Sequence, residues 1–196
     1  MERDIELIKK ELSRLPTSTF ITKWMIEHTP YVFDNNEDEY IRWREGIAKK
    51  LRVDPSDIMI TGSAALGFSL SPHKNFKVFD EKSDVDVSII SHHHFDVAWH
   101  DLLHTRRYTT PPQMQAALDD HKARLIYFGT IATDKILPLL SFGSEWDKII
   151  TQSKSHPSLS GREINFRIYK DKASIRNYLS IGVNNRKNAL LEEKLK

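Results

Sequence analysis

The segment from Ser83 to Ile90 constrains the fold more than any other part of the chain, because its side chains alternate between polar and apolar. A period of two predicts a β-strand with one face toward a core and one polar face. The apolar face consists of Val85, Val87 and Ile89. The polar face consists of Asp84, Asp86 and Ser88. The chain must therefore build a sheet whose apolar side is covered by other elements.

Two carboxylates on one face of a strand are unusual, because aspartate is a poor strand former and desolvation of a charge is costly. Asp84 and Asp86 would stand about 7 Å apart along the strand and repel each other. A divalent cation would offset both costs, and magnesium binds a few carboxylates while water and phosphate oxygens complete its shell. The alternative interpretation is an exposed edge strand with two solvated aspartates.

A second feature precedes this strand. Residues 57–60 predict a short buried strand that runs into Thr61, Gly62 and Ser63, and a helix is expected from Ala64 to about Leu70. Backbone N–H groups are free at such a junction and attract anions. Gly62 would let the backbone approach a phosphate closely, and the Ser63 hydroxyl could bind that phosphate or cap the helix. The alternative is an ordinary strand-to-helix turn with a serine cap.

Together these features resemble a known signature. The residues Ile60-Thr61-Gly62-Ser63, then Gly67, then Ser83-Asp84-Val85-Asp86-Val87 are similar to the Gly-Ser turn and Asp-x-Asp strand of the DNA polymerase beta-like nucleotidyltransferase superfamily. The likeness covers about residues 57–90 and, more weakly, 162–170. It implies a mixed sheet flanked by helices and two Mg²⁺ (or Mn²⁺) ions held by Asp84 and Asp86. It further implies a nucleoside triphosphate donor held by Gly62 and Ser63, a hydroxyl acceptor, and release of pyrophosphate.

The resemblance also implies a third carboxylate on a later strand. The candidate strand covers Arg162 to Lys170, and the family pattern would place the acid at Asn165. Asparagine cannot accept a proton as a base, whereas Glu163 lies one alternation earlier on the same face and could replace the missing acid. Arg167 shares this polar face and could contact phosphates. A catalytically degenerate module, which binds nucleotides or a protein on the same fold, remains the alternative function.

The remaining pattern predicts one α+β domain over residues 1–196. It would comprise N-terminal helices over 1–55, a catalytic-type core over 56–170, and a C-terminal helix over 171–196 that Asp171 caps. Asn35 or Asn36 is expected to cap the third helix. The polar segment from Ser71 to Lys82 predicts a loop, either a substrate loop or a harmless insertion.

Composition excludes several classes of protein. The sequence has no cysteine, so disulfides and thiolate metal sites are excluded, and its net charge of +2 does not require a nucleic-acid partner. No apolar stretch reaches the length of a membrane span, and the N-terminus lacks a signal-peptide core. We therefore expect a soluble cytoplasmic protein without membrane contact. Its acceptor could be a small molecule, a nucleotide, RNA or protein, and a partner protein is possible.

Histidines are concentrated after the Asp-x-Asp strand. The triplet His92–His94 is followed by His100 and His104, which would share one face of a helix expected from about Phe95 to Arg107. This spacing is compatible with zinc. The alternative is a solvated or substrate-lining cluster. Trp99 and Leu103 are expected to point inward from the same helix.

Overall fold

A four-stranded mixed sheet organises the computed structural model, which describes residues 5–34, 36–105 and 110–195. Its strands are β1 (Ile58–Thr61), β2 (Val85–Ile90), β3 (Thr130–Ala132) and β4 (Ile164–Tyr169). The spatial order is β1-β2-β4-β3. β2 and β4 are parallel, whereas β1 and β3 run antiparallel to their neighbours. The predicted α+β class is confirmed.

Eight α-helices belong to the described residues. They are α1 (Ile5–Arg14), α2 (Thr17–Ile21), α3 (Glu37–Leu51), α4 (Gly62–Leu66), α5 (His92–His104), α6 (Pro112–Asp120), α7 (Gly143–Ser153) and α8 (Lys172–Lys194). Asn36 caps α3 and Asp171 caps α8, each by accepting a backbone N–H bond. Asn35, the other candidate cap, lies outside the described residues. Within the described ranges, none of the helices has both the length and the apolar character to cross a lipid bilayer.

The two faces of the sheet have different surroundings. The apolar face packs on α3, α5 and α7, and alternate residues of β2 and β4 enter this larger core. The other face is covered only in part, by α1, α2 and α8, which form a second cluster with Met59, Ile90 and Tyr169. Because those helices cover one end of this face, its remaining polar side chains border an open cleft.

The structure departs from the sequence-based prediction in three places. α4 ends at Leu66 rather than Leu70, because Gly67 adopts a φ of +88° and a Cβ there would lie 2.7 Å from the Tyr31 ring. The sequence pattern does not predict β3, because three residues are too few for an alternation to be recognised. The inward orientation of Trp99 and Leu103 was wrong: these side chains are 37% and 60% exposed.

Candidate functional site

A cleft of about 840 Å³ opens on the polar face of the sheet, bounded by the segment after α4 and by α8. Its lining includes both aspartates and the turn that the sequence singled out: Gly62, Ser63, Asp84, Asp86 and Arg167. Alternation along β2 and β4 directs these side chains away from the main core. The two acids therefore lie on the same side of the sheet as the strand–helix junction, as the hypothesis required.

The turn touches the second aspartate directly. Thr61 pairs with Asp86 in the antiparallel β1–β2 register, so the chain turns beside that carboxylate. Gly62 has a φ of +68°, and a Cβ at this position would lie 3.0 Å from Asp86 Oδ2. Only glycine combines this backbone conformation with such a close approach at little cost. The turn and the Asp86 carboxylate are thus in close proximity.

The Thr61 side chain does not cap the amide groups of the turn. The Thr61 hydroxyl lies 3.0 Å from the Ser88 hydroxyl and makes no capping bond to α4. The first-turn N–H groups of α4 therefore have no side-chain cap from Thr61. Because α4 has only five residues, few peptide dipoles add up there. Hydrogen bonding by the amides themselves, rather than a helix dipole, is what the turn offers an anion.

The electrostatics of Asp86 indicate an incompletely neutralised acid. Burial in the cleft, followed by the negative charge of Asp84, raises the pKa of Asp86 to about 6. Arg167 and Lys74 act in the opposite direction, and Asp134 adds to the rise. At neutral pH the carboxylate is therefore mostly ionised, although burial and the charge of Asp84 make this ionisation unfavourable. A bound cation would offset that free-energy cost.

The third-carboxylate position is occupied by an amide. Asn165 pairs with Asp86 in the parallel β2–β4 register, and its Nδ2 donates to Asp84 Oδ2 at 3.4 Å. Glu163 lies just before β4 and is exposed, and it is not among the cleft-lining residues. Across the described ranges, no three His, Asp or Glu side chains are grouped so that they could hold a metal. The role of Glu163 therefore stays a prediction.

Arg167 supplies a cationic group in the middle of the cleft. Its guanidinium lies 4.9 Å from the Tyr178 ring centroid. Its Nη1 atom is buried and has no hydrogen-bond partner among the residues that the structure describes. A buried, unpaired donor is costly unless something binds it. An anionic ligand in the cleft would satisfy this group.

Two charged residues near the site escaped sequence analysis. Lys74 lines the cleft from the loop whose role the sequence left open. Asp134 follows β3, where Ala132 pairs with Arg167 and the N–H of residue 133 donates to Phe166 O at 3.1 Å. Asp134 comes two residues after β3, and its charge raises the pKa of Asp86. Asp134 could have been identified from the sequence only if β3, which precedes it, had been predicted.

The clustered histidines His92–His94, His100 and His104 belong to α5 and are not among the cleft-lining residues. The triplet forms the first turn of α5, so this helix begins at His92 rather than at about Phe95. His94 bonds to Ser91 at 2.8 Å and packs on Trp146 at 5.1 Å, while His92 lies 3.2 Å from Asp96. These contacts anchor the helix start. Arg107, the predicted end of this helix, lies outside the described residues.

Comparisons of the chain with protein-family models, with curated proteins and with solved structures gave no match. The function must therefore be inferred from the site itself. The site combines two neighbouring carboxylates, one of them with a raised pKa, a glycine turn, and an arginine whose Nη1 has no partner among the described residues. This combination fits a divalent cation bound together with a phosphate group.

Proposed function

We propose that this chain is a magnesium-dependent nucleotidyltransferase that moves a nucleoside monophosphate from a nucleoside triphosphate to a hydroxyl acceptor. One observation carries the proposal: the Gly62 turn lies against the Asp86 carboxylate, in a cleft that Asp84 also lines. A phosphate held by the turn would thus be adjacent to any cation held by the acids. The resemblance to the polymerase beta-like superfamily supports the same interpretation.

Each residue has a chemical role in this proposal. Asp84 and Asp86 would hold Mg²⁺ or Mn²⁺, which when bound neutralises phosphate charge and orients the leaving group. The backbone N–H groups at Gly62 and Ser63 donate to phosphate oxygens. The free Nη1 of Arg167 donates to the same polyphosphate. These groups compensate negative charge that grows on the departing phosphates.

The reaction would proceed by in-line displacement. The acceptor oxygen forms a bond to the α-phosphorus, the bond from that phosphorus to the bridging oxygen of the β-phosphate breaks, and pyrophosphate leaves. The hydroxyl proton passes to a base. Asn165 cannot accept it, so the candidates are Glu163, which the sequence suggested, and Asp134, whose charge raises the pKa of Asp86. A pair of variants decides between them.

The test is turnover of triphosphates labelled at the α-phosphate, assayed with Mg²⁺ or Mn²⁺ for pyrophosphate release. We expect Asp84→Asn to lower the rate at least about a hundredfold, because charge compensation by such groups is among the largest catalytic terms. Glu163→Gln and Asp134→Asn identify the base. Glu81→Gln, an exposed acid outside the cleft lining, is the matched control and should leave the rate unchanged. Full activity in Asp84→Asn would refute the proposal.

A second candidate function is nucleotide binding without transfer, and Asn165 in register with Asp86 favours it. Binding of triphosphate without pyrophosphate release, unchanged in Asp84→Asn, would support this candidate. A third outcome is a domain that binds neither ligand. In that case Mg²⁺ with any nucleotide would fail to raise the melting temperature, because a ligand of the native state must stabilise it.

A further inference from the structure

Residues 69–76, here called the 69–76 loop, contribute one wall of the cleft. All six residues from Ser69 to Lys74 line it, and α8 continues the wall through Asn185, Asn188 and Ala189. The sequence pattern is compatible with either a substrate loop or a harmless insertion here. Its contacts decide how it is held.

Arg186 of α8 anchors the loop. Its side chain is fully buried, and Nε donates to Leu70 O at 3.2 Å while Nη2 donates to Ser71 O at 2.7 Å. The guanidinium also stacks on the Phe76 ring at 4.2 Å. Glu193 Oε1 lies 3.9 Å from Nη1, and Nη1 makes no hydrogen bond to any described residue. The main contacts of this buried cation thus fix the carbonyls of the loop.

The loop backbone adopts a defined and strained path. Phe76 has a φ of +55°, a left-handed conformation that is unfavourable for a bulky side chain. Its ring is held by Arg186, by an edge contact to Phe68 at 5.5 Å, and by Lys9 Nζ at 5.1 Å. Ser69 N–H donates to Lys77 O at 2.9 Å and closes the base of the loop. Strain persists only where surrounding contacts over-determine it, so the loop is a built element.

This construction presents a lysine to the cleft. Lys74 ends a 3-10 turn (Pro72–Lys74), is exposed, and lines the same cleft as Asp86. Within the described residues, its ammonium has no hydrogen-bond or ion-pair partner. Its charge nevertheless reaches Asp86 across the cleft. An ammonium on a flexible stem is suited to phosphate oxygens as a point charge.

We propose that the 69–76 loop is the second wall of the triphosphate site, that Lys74 contacts the β- and γ-phosphates, and that Arg186 positions the loop. The proposal rests on the proposed function, because it needs a triphosphate in the cleft. It adds specificity, because Lys74 would contact phosphates that a nucleoside monophosphate lacks.

Binding separates these contributions. The probes are a non-hydrolysable nucleoside triphosphate and the monophosphate of the same base. The base is the one whose triphosphate the wild-type protein binds most tightly, and each nucleotide is titrated into the protein by calorimetry in the presence of Mg²⁺. We expect Lys74→Ala to raise the Kd of the triphosphate about tenfold or more, since a charged hydrogen bond is lost. The Kd of the monophosphate should stay within about twofold. Lys77→Ala, which removes an exposed lysine paired with Asp80 outside the cleft lining, is the control and should change neither.

Arg186→Lys tests the anchor. Lysine keeps the charge but lacks the planar fork that reaches two carbonyls, so we expect weaker triphosphate binding with monophosphate binding preserved. A purely structural role would weaken both ligands alike. Arg176→Lys, on the same helix but bonded to Thr22, is the matched control.

Unchanged triphosphate affinity in Lys74→Ala, or equal weakening of both nucleotides in Arg186→Lys, overturns this inference while leaving the proposed function standing. If the wild-type protein binds no triphosphate at all, both proposals fall together.

Discussion

Replacing Asp86 by asparagine should stabilise the protein and abolish its response to magnesium. The carboxylate is half-buried beside Asp84, and its pKa is raised from the ordinary 3.8 to about 6. A raised pKa of an acid means that ionisation disfavours the folded state. Stability is therefore lost as pH rises from about 4 to 6 and stays reduced above that range. The asparagine side chain of the Asp86→Asn variant would mimic the neutral acid at every pH.

The expected gain follows from the shifted pKa. At about 1.4 kcal/mol per pKa unit, the difference corresponds to ~3 kcal/mol at pH 7.5. Solvent in the open cleft screens part of this, so we expect about 1–3 kcal/mol. For a domain of this size such a gain raises Tm by roughly 2–10 °C. At pH 4 the two proteins should be about equally stable, because wild-type Asp86 is then protonated.

The assay is denaturant unfolding of both proteins with EDTA at pH 4 and pH 7.5, followed by melting curves with added Mg²⁺ and nucleotide. Asp84→Asn is the companion variant: it should show a smaller gain, because Asp84 is exposed, and the same loss of the Mg²⁺ response. The electrostatic reasoning would be refuted if Asp86→Asn were no more stable than the wild type at pH 7.5, or if its gain in unfolding free energy were the same at both pH values. Neither outcome depends on a ligand.

Three further predictions concern neighbouring positions. Asn165→Asp should put a third acid opposite Asp86, lowering stability without metal and enlarging the rise in Tm that Mg²⁺ produces; a smaller response to Mg²⁺ than in the wild type would contradict it. Gly62→Ala should lower the free energy of unfolding by about 1–2 kcal/mol because of the positive φ, and further because the new methyl group crowds Asp86. At Gly161, which has a φ of +76°, an added Cβ would meet no atom of the described residues within 4 Å, so Gly161→Ala should show only the first loss in denaturant titrations. His121 is buried, accepts a backbone bond from β3, and has a pKa lowered mainly by burial, so its contribution to stability should be lost as pH falls below about 6.5. His121→Gln should be less stable than the wild type at pH 7.5, and the difference should narrow at pH 5.5; a constant difference would count against this view.

Local pattern predicted much of the sheet and the starts of two helices. Alternation marked β2 and β4, because a half-buried strand imposes a period of two on its sequence. Capping side chains marked the starts of α3 and α8. The Gly62-Ser63 turn could also be predicted, because the positive φ at its first position favours glycine. Such features are local, so the order of residues along the chain carries them.

The C-terminal end of α4 and the existence of β3 could not be predicted from the local sequence. Gly67 ends α4 in a left-handed conformation, and the Tyr31 ring, from a distant turn, occupies the space that a Cβ at this position would need. β3 exists because its three residues pair with β4, and no short segment forms a strand without a partner. Both are consequences of long-range contact.

By itself, the sequence determined that two carboxylates share one strand face and that a glycine turn precedes them. Only the tertiary structure decided that the turn touches Asp86, that Asn165 stands in the adjacent register position, and that Arg186 holds a loop against the same cleft. The physical reason is that alternation fixes the face to which a side chain points, whereas strand register and helix packing fix which faces meet.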